Sequence, residues 1–411
     1  MLHSRPFGLF YTRFFLGLFA LFVNAALAAD TGTADDKEEP VPARFEQGEP
    51  VWVSRSGPWG ELEVRSLYLE APDSLVAGLK QPNSTTSWNF PGASEDTLTA
   101  LFVRAGLPSD MRAQLLNPQH ILIHEGVWTL FIDPELLLAL TQDQRSVIYR
   151  ELSASSLNPM HAAPAYVVAE NPEDWLSDAH ITDEQKKMVR QLLWKDYDML
   201  AFSDVSILLA GAKTDAEIAK VFKFMTRVRS LMVTLKLSPG SDPKPLAEYW
   251  TAEGRETECL PLILSATERQ GMGSIDLTHL LPPMARTYLY TFPTLESGAE
   301  GRLPDCQWTA LNFFHSTPHD YFLDARLTAT HLTEAYETVE GPYRYGDVLE
   351  FIDGRGDAQH ACVFLADNIV FTKNGEGMIK PWIMMWLADV KKLYQREDCR
   401  VVAYRMKPSA S

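Results

Sequence analysis

His360 to Gly375 reads HACVFLADNIVFTKNG, and this stretch decides the fold of the second half of the chain. Two apolar runs flank Asp367-Asn368, a residue pair suited to a tight turn. The pattern predicts strand, turn, strand, with His360 at the start of the first arm. A hairpin folds the end of its second arm back beside the beginning of its first. Thr372, Lys373 or Asn374 can therefore approach His360. Asn374 lies two residues beyond Thr372, which on a strand is the same side.

Upstream, Tyr345 to Ile352 reads YGDVLEFI, a strand entered through Gly346-Asp347, with Val348 and Ile352 on one side. Asp305 to Phe314 reads DCQWTALNFF. Trp308, Leu311 and Phe314 recur at three-residue steps, so a helix is expected to start near Cys306. Pro304 and Asp305 stand where N-terminal capping signals belong. A thiol at a helix N-terminus feels the positive end of the macrodipole, which favours the thiolate, the nucleophilic form. The same position also suits a core thiol packed on Trp308. Downstream, Cys399 to Arg405 (CRVVAYR) reads as a closing strand.

Taken in order, Asp305-Cys306, Gly346-Asp347 and His360 resemble the NlpC/P60 papain-like cysteine peptidases of bacterial cell-wall metabolism. The resemblance spans about Leu281 to Arg405. It implies an α+β fold in which a helix bearing the Cys packs on an antiparallel sheet. Cys306 would be the nucleophile and His360 the base. Counted strictly from His360, the family's third, orienting residue falls at Thr372; Asn374 is the chemically better orienter. Asp305, Tyr290, Trp308 and Asp347 would contact substrate, and no metal or other cofactor is expected. The implied substrate is a peptidoglycan stem peptide. Cys306 would attack an amide carbonyl to form an acyl-enzyme, and water would release the acid. The chain departs from the family in two places. Gln307-Trp308 stands where Ser-Gly commonly follows the Cys, and a long insert between Phe314 and Tyr345 carries His315, His319 and His331. A transglutaminase-like acyltransferase would use the same Cys–His order with an Asp third; Asp367, at the hairpin turn, points away from His360. A catalytically inactive cell-envelope binding module is the non-enzyme alternative.

The rest of the chain sets the context. Of its 411 residues 46% are hydrophobic, enough for a real core. The 37 Lys and Arg against 54 Asp and Glu leave a net charge of −17, which argues against nucleic acid as a partner. Arg5 and Arg13, the run FFLGLFALFV from Phe14 to Val23, and Ala26-Leu27-Ala28 form a secretory signal pattern over residues 1–28. That run is about half of what a membrane span needs, and no later segment is longer, so the mature chain should be periplasmic or secreted with no transmembrane segment. Residues 29–50 read as an acidic flexible linker. Residues 51–240 read as a mixed, largely helical N-terminal domain, and 241–406 as the catalytic domain, divided at SPGSDPKP (238–245).

Within the N-terminal part, short strands are expected around Gly57-Pro58 and Gly60, and a hairpin at Glu125-Gly126. An apolar helix should run from Pro134 to about Leu152. Thr182 with Gln185 and Thr214 with Glu217 fit capping boxes. Ile218 through Leu235 carries apolar residues at three- and four-residue steps, which predicts one long buried helix. His120 and His124 read as surface or packing residues. Pro318 disfavours a zinc site at His315 and His319. Cys259 and Cys399 could pair, and Cys362 should lie near the site or in the core.

Overall fold

The computed structural model describes residues 42–46, 49–77, 85–169, 171–237, 242–268, 273–395 and 398–408. The expected signal peptide and the linker up to residue 41 lie outside these. The end of the expected linker is not loose: Arg44–Glu46 and Glu49–Val53 form an antiparallel pair, with Arg44 opposite Val51. The chain is α+β with several antiparallel sheets. Among the described residues no helix is long and apolar enough to cross a membrane.

The chain divides into two compact units, but not at residues 238–245. One unit takes Lys80–Val167 and His180–Val221; the other takes Ala29–Leu79, Val168–Ala179 and Phe222–Ser411. Residues 238–241 lie outside the described residues. The strands on either side of them, Val228–Lys236 and Ser274–Asp276, are hydrogen-bonded neighbours in one sheet, with helices Pro243–Trp250 and Leu260–Glu268 between them.

The first unit carries two three-stranded sheets among its helices. Its hairpin, Ile121–His124 against Val127–Phe131, turns at Glu125 and Gly126 with φ of 49° and 77°, as a two-residue primed turn requires. The helix expected from Pro134 to Leu152 is instead two, Pro134–Ala139 and Gln142–Ser153. Thr141 breaks it. Its hydroxyl accepts the Gln144 N–H at 3.2 Å, and the Gln144 side chain accepts the Thr141 N–H at 2.9 Å, so a new N-terminus is more favourable than continuation. Arg145 is fully buried and donates to the Leu137, Leu140 and Leu193 carbonyls, two of them orphaned by that break. The capping boxes at Thr182 and Gln185 and at Thr214 and Glu217 both form.

The long helix expected through Leu235 stops at Met225, and Val228–Lys236 is a strand. Leu231, Val233 and Leu235 are fully buried at alternate positions. Valines and leucines placed this way satisfy a period of two as well as a period near 3.6, and the β-branched residues tip the balance to strand.

The second unit is two antiparallel sheets. The first joins Arg44–Glu46, Glu49–Val53, Glu61–Leu69, Val228–Lys236 and Ser274–Asp276 in that order. The other lies in the region of the resemblance. Its elements are α1 (Cys306–Leu311), α2 (Ala325–Ala335), β1 (Tyr336–Val339), β2 (Val348–Ile352), β3 (Ala358–Ala366), β4 (Ile369–Lys373), β5 (Trp382–Trp386), α3 (Leu387–Tyr394) and β6 (Arg400–Met406). The strand order is β1-β6-β2-β3-β4-β5. α3 links β5 at one edge to β6 near the other, so it must cross a face of the sheet. α1 covers the opposite face: the Phe313 ring beyond its end lies 5.8 Å from Phe371, and Trp382 Nε1 donates to Thr309 Oγ1 at 2.9 Å. The two sheets meet where Trp52 packs on Trp386 at 6.0 Å and Ser230 Oγ bonds the Met384 backbone.

The turn into β2 is fixed by two residues. Gly346 has φ +90°, and a Cβ there would fall 2.3 Å from the Phe314 ring, so only glycine fits. Asp347 takes a two-pronged bond from Arg405 on β6, at 2.8 and 2.6 Å, and the Arg344 N–H at 2.8 Å. It is 2% exposed. Asp347 therefore holds the sheet together and is not open to substrate.

Candidate active site

The start of α1 follows the sequence reading. Asp305 is extended, and its carboxylate accepts the Trp308 N–H at 2.7 Å, the bond of an N-cap. Cys306 is the first helical residue and is half-buried. Trp308 is buried against Tyr288 and Trp382, so it is core and not a substrate contact. The thiol itself is not activated. Burial pushes Cys306 up to about 12, and the Asp305 carboxylate adds to this. The backbone N–H groups of Ala361, Gln307 and Cys306 oppose the rise without reversing it. Desolvation and a neighbouring acid outweigh the helix N-terminus.

His360 lies on the far side of the sheet. Side chains alternate along β3. Ala361, Val363 and Leu365 join the core shared with Trp308, Leu311 and Phe313 on the α1 side. His360 and its neighbour Cys362 therefore face α3. The His360 ring stacks flat on Tyr394 with centroids 3.9 Å apart, and Phe351, opposite it on β2, lies 5.9 Å away. Thr372 Oγ1 is 3.0 Å from His360 Nε2. His360 is 1% exposed, and burial pushes it down to about 3, so it is neutral at ordinary pH. The sequence reading is thus half met. The hairpin brings Thr372 to His360 at the strictly counted position, but the pair stands across the sheet from Cys306 and shares no hydrogen bond with it. Cys362, on the His360 face, is a core thiol that burial also pushes up.

The other expected residues are placed as follows. Asn374 is not at His360: its amide donates to Met385 Sδ at 3.2 Å, and its buried Oδ1 has no hydrogen-bond partner. Tyr290 donates to the Leu231 carbonyl at 2.7 Å. It lines a groove of about 530 Å³ with Leu69, Pro72 and Thr294, and Cys306 does not line that groove. Asp305 is occupied as the cap, and burial pushes its carboxyl up. Asp367 sits at the hairpin turn, where Arg55 bonds it through N and Nε at 3.0 and 2.6 Å. The four cysteines are free, so Cys259 and Cys399 do not bridge. His120 and His124 are exposed beside Asp133 and Glu125. The insert gathers His315 and His319, with ring centroids 4.6 Å apart, but among the described residues no three His, Cys, Asp or Glu side chains are placed to hold a metal.

The polar groups on the Cys306 side are different from those expected. Glu350 of β2, paired with Ala361, is pushed up by burial, with the Gln307 side chain countering. Lys373 ends β4 one residue after Thr372 and so faces α1. It is fully buried; its Nζ donates to the Gly375 and Gly377 carbonyls at 2.5 and 3.3 Å and lies 5.5 Å from the Trp382 ring. Burial pushes Lys373 down to about 7, against the pull of Asp305 and Cys306. The sequence reading considered Lys373 only as a neighbour of His360. Its signal was present nonetheless: a lysine inside an otherwise apolar strand.

Comparison with known proteins finds no matching family, no matching curated protein and no matching solved structure.

Proposed function

We propose that this chain is an exported thiol hydrolase of the cell envelope, built on a papain-like plan, that cleaves amide bonds with Cys306 as nucleophile. Peptidoglycan stem peptides are the substrate class. The observation that carries the reading is the seat of Cys306. It is the first residue of a capped helix laid on an antiparallel sheet, and the backbone N–H groups of Ala361, Gln307 and Cys306 favour its thiolate against the burial that opposes it. Those donors would also steady the negative charge that develops on sulfur and, in the transition state, on the carbonyl oxygen. His360 is left out as the base, because an imidazole stacked on Tyr394 across the sheet cannot reach the thiol. The transglutaminase-like reading is weaker, since Asp367 is held by Arg55 at the hairpin turn.

A second reading is favoured by one observation. The thiol rests protonated, at about 12, and among the described residues no imidazole is hydrogen-bonded to it. That suits a module that binds the envelope without cleaving it. Isolated peptidoglycan incubated with the full chain separates the two by the appearance of new free amines. Cleavage that disappears in Cys306→Ala supports the hydrolase. Cleavage that survives in Cys306→Ala removes Cys306 from the mechanism. Co-sedimentation with peptidoglycan, unchanged in Cys306→Ala and without any new amines from the wild type, establishes the binding module.

A further inference from the structure

We propose that Lys373 is the proton acceptor for Cys306, in the place that His360 does not fill. The inference rests on the thiol-hydrolase reading. Its ground is placement. β4 points Thr372 to α3 and Lys373 to α1. Lys373 and the first turn of α1 share one indole: Nζ lies 5.5 Å from the Trp382 ring, and Trp382 Nε1 donates to Thr309 Oγ1 at 2.9 Å. Lysine is almost never fully buried without a charged partner. Here the Nζ hydrogen bonds go to two backbone carbonyls, of Gly375 and Gly377. An ammonium has three protons to donate, so two carbonyls leave one position over.

The proton balance is as follows. Neutral Lys373 takes the Cys306 S–H proton, and the thiolate adds to the amide carbonyl. The tetrahedral adduct collapses with cleavage of the C–N bond, and the ammonium of Lys373 returns its proton to the departing amine. The thioester remains. Lys373, neutral again, takes a proton from the attacking water. The second adduct expels the thiolate, which recovers that proton. The sum is amide plus water giving acid plus amine, and it needs no other reactant.

The charge setting agrees with this role. Burial brings Lys373 down to about 7, which makes the amine available near neutral pH. The groups acting on it are Asp305 and Cys306 from the start of α1, and Lys380 and Glu376 from the loop after β4. Lys380 lowers it further, while the other three raise it.

The test is the rate at which iodoacetamide alkylates Cys306 in the full chain, followed by peptide mass from pH 5 to 10. A thiol coupled to an amine titrating near 7 gives an inflection near that pH, and this belongs to the pair. In Lys373→Met, which fills the same volume without an amine, the inflection should vanish and the rate at pH 8 should fall at least tenfold. Lys373→Arg keeps the charge but cannot accept a proton; it should also lose the inflection, and it serves should the methionine variant not fold. An unchanged inflection in either folded variant overturns the role of Lys373. Amide cleavage surviving in Cys306→Ala overturns the hydrolase reading and leaves the alkylation result standing by itself.

Discussion

Acid should unfold this chain partly through His360, and replacing His360 with phenylalanine isolates that contribution. The ring is 1% exposed, stacked on Tyr394, and lowered by burial from 6.5 to about 3. The unfolded chain therefore takes up a proton as pH falls through 6.5, while the folded chain takes it up only near 3. Stability from this group is whole above 6.5 and is lost as pH falls toward 3. Each pH unit inside that window costs about 1.36 kcal/mol, so the loss is about 2 kcal/mol at pH 5 and roughly 5 kcal/mol at its end. A phenyl ring keeps the stack on Tyr394 and cannot titrate. Thr372 loses its partner at 3.0 Å, yet its hydroxyl retains the Ala361 carbonyl at 3.4 Å, and that offset is the same at every pH. The assay is urea unfolding of the wild type and His360→Phe at pH 7 and pH 5. Other buried groups, among them His161, also lowered to about 3, and Asp204, raised to about 7, cancel in the difference between the two proteins. The gap between the two stabilities should shift by about 2 kcal/mol in favour of the variant as pH falls from 7 to 5. Parallel stabilities at both pH values would refute the argument. They would mean that His360 titrates as a solvated imidazole, free of Tyr394 and available for a proton-transfer role.

Two further outcomes test the frame that holds α1 and the sheet. Arg405→Met leaves the Asp347 carboxylate buried without its partner across β2 and β6, and should cost about 3–5 kcal/mol by urea unfolding; a loss under about 1 kcal/mol would show that the pair is not desolvated. Gly346→Ala puts a side chain at φ +90° and against the Phe314 ring, and should cost at least about 2 kcal/mol with a lowered thermal midpoint; an unchanged midpoint would mean that the turn into β2 is otherwise built.

Local signals were legible in the sequence where one short-range rule decided the outcome. The Asp367-Asn368 turn, the Glu125-Gly126 turn and the boxes at Thr182 and Thr214 are each set by residues within four positions of one another, and each forms. The start of α1 was legible for the same reason, since Asp305 alone supplies the cap. The reading failed where tertiary burial arbitrated between two local patterns. Residues 228–236 satisfy a helical and a strand period together, and the pairing of Val228–Lys236 with Glu61–Leu69 chose the strand. The unit boundary was missed because SPGSDPKP looks like a linker by composition, while the strands on either side of it, Val228–Lys236 and Ser274–Asp276, pair in one sheet. The state of the Cys306 thiol was missed because a dipole is visible in sequence and desolvation is not.

The candidate site turned on one bit of information that the sequence did not carry. His360 and Thr372 are twelve residues apart, and the irregularity in β3 between Phe364 and Ala366 sets Val363 opposite Phe371, a register that puts the two on one face of the β3–β4 hairpin. Which face they share depends on where α1 and α3 settle. An amphipathic strand would answer that, with polar residues marking the open side. β3 from His360 onward and all of β4 are buried on both faces, and both faces read as apolar. The only marks are single polar side chains: His360 and Thr372 on one side, Lys373 on the other. A sequence reader looking for a Cys–His pair assigns the Cys side to the histidine. The burial of a lysine favours the opposite assignment, because an ammonium in a core needs acceptors, and here the Gly375 and Gly377 carbonyls supply them on the α1 side. The residue hardest to bury, rather than the residue most often catalytic, was the better guide to which face Cys306 lies on.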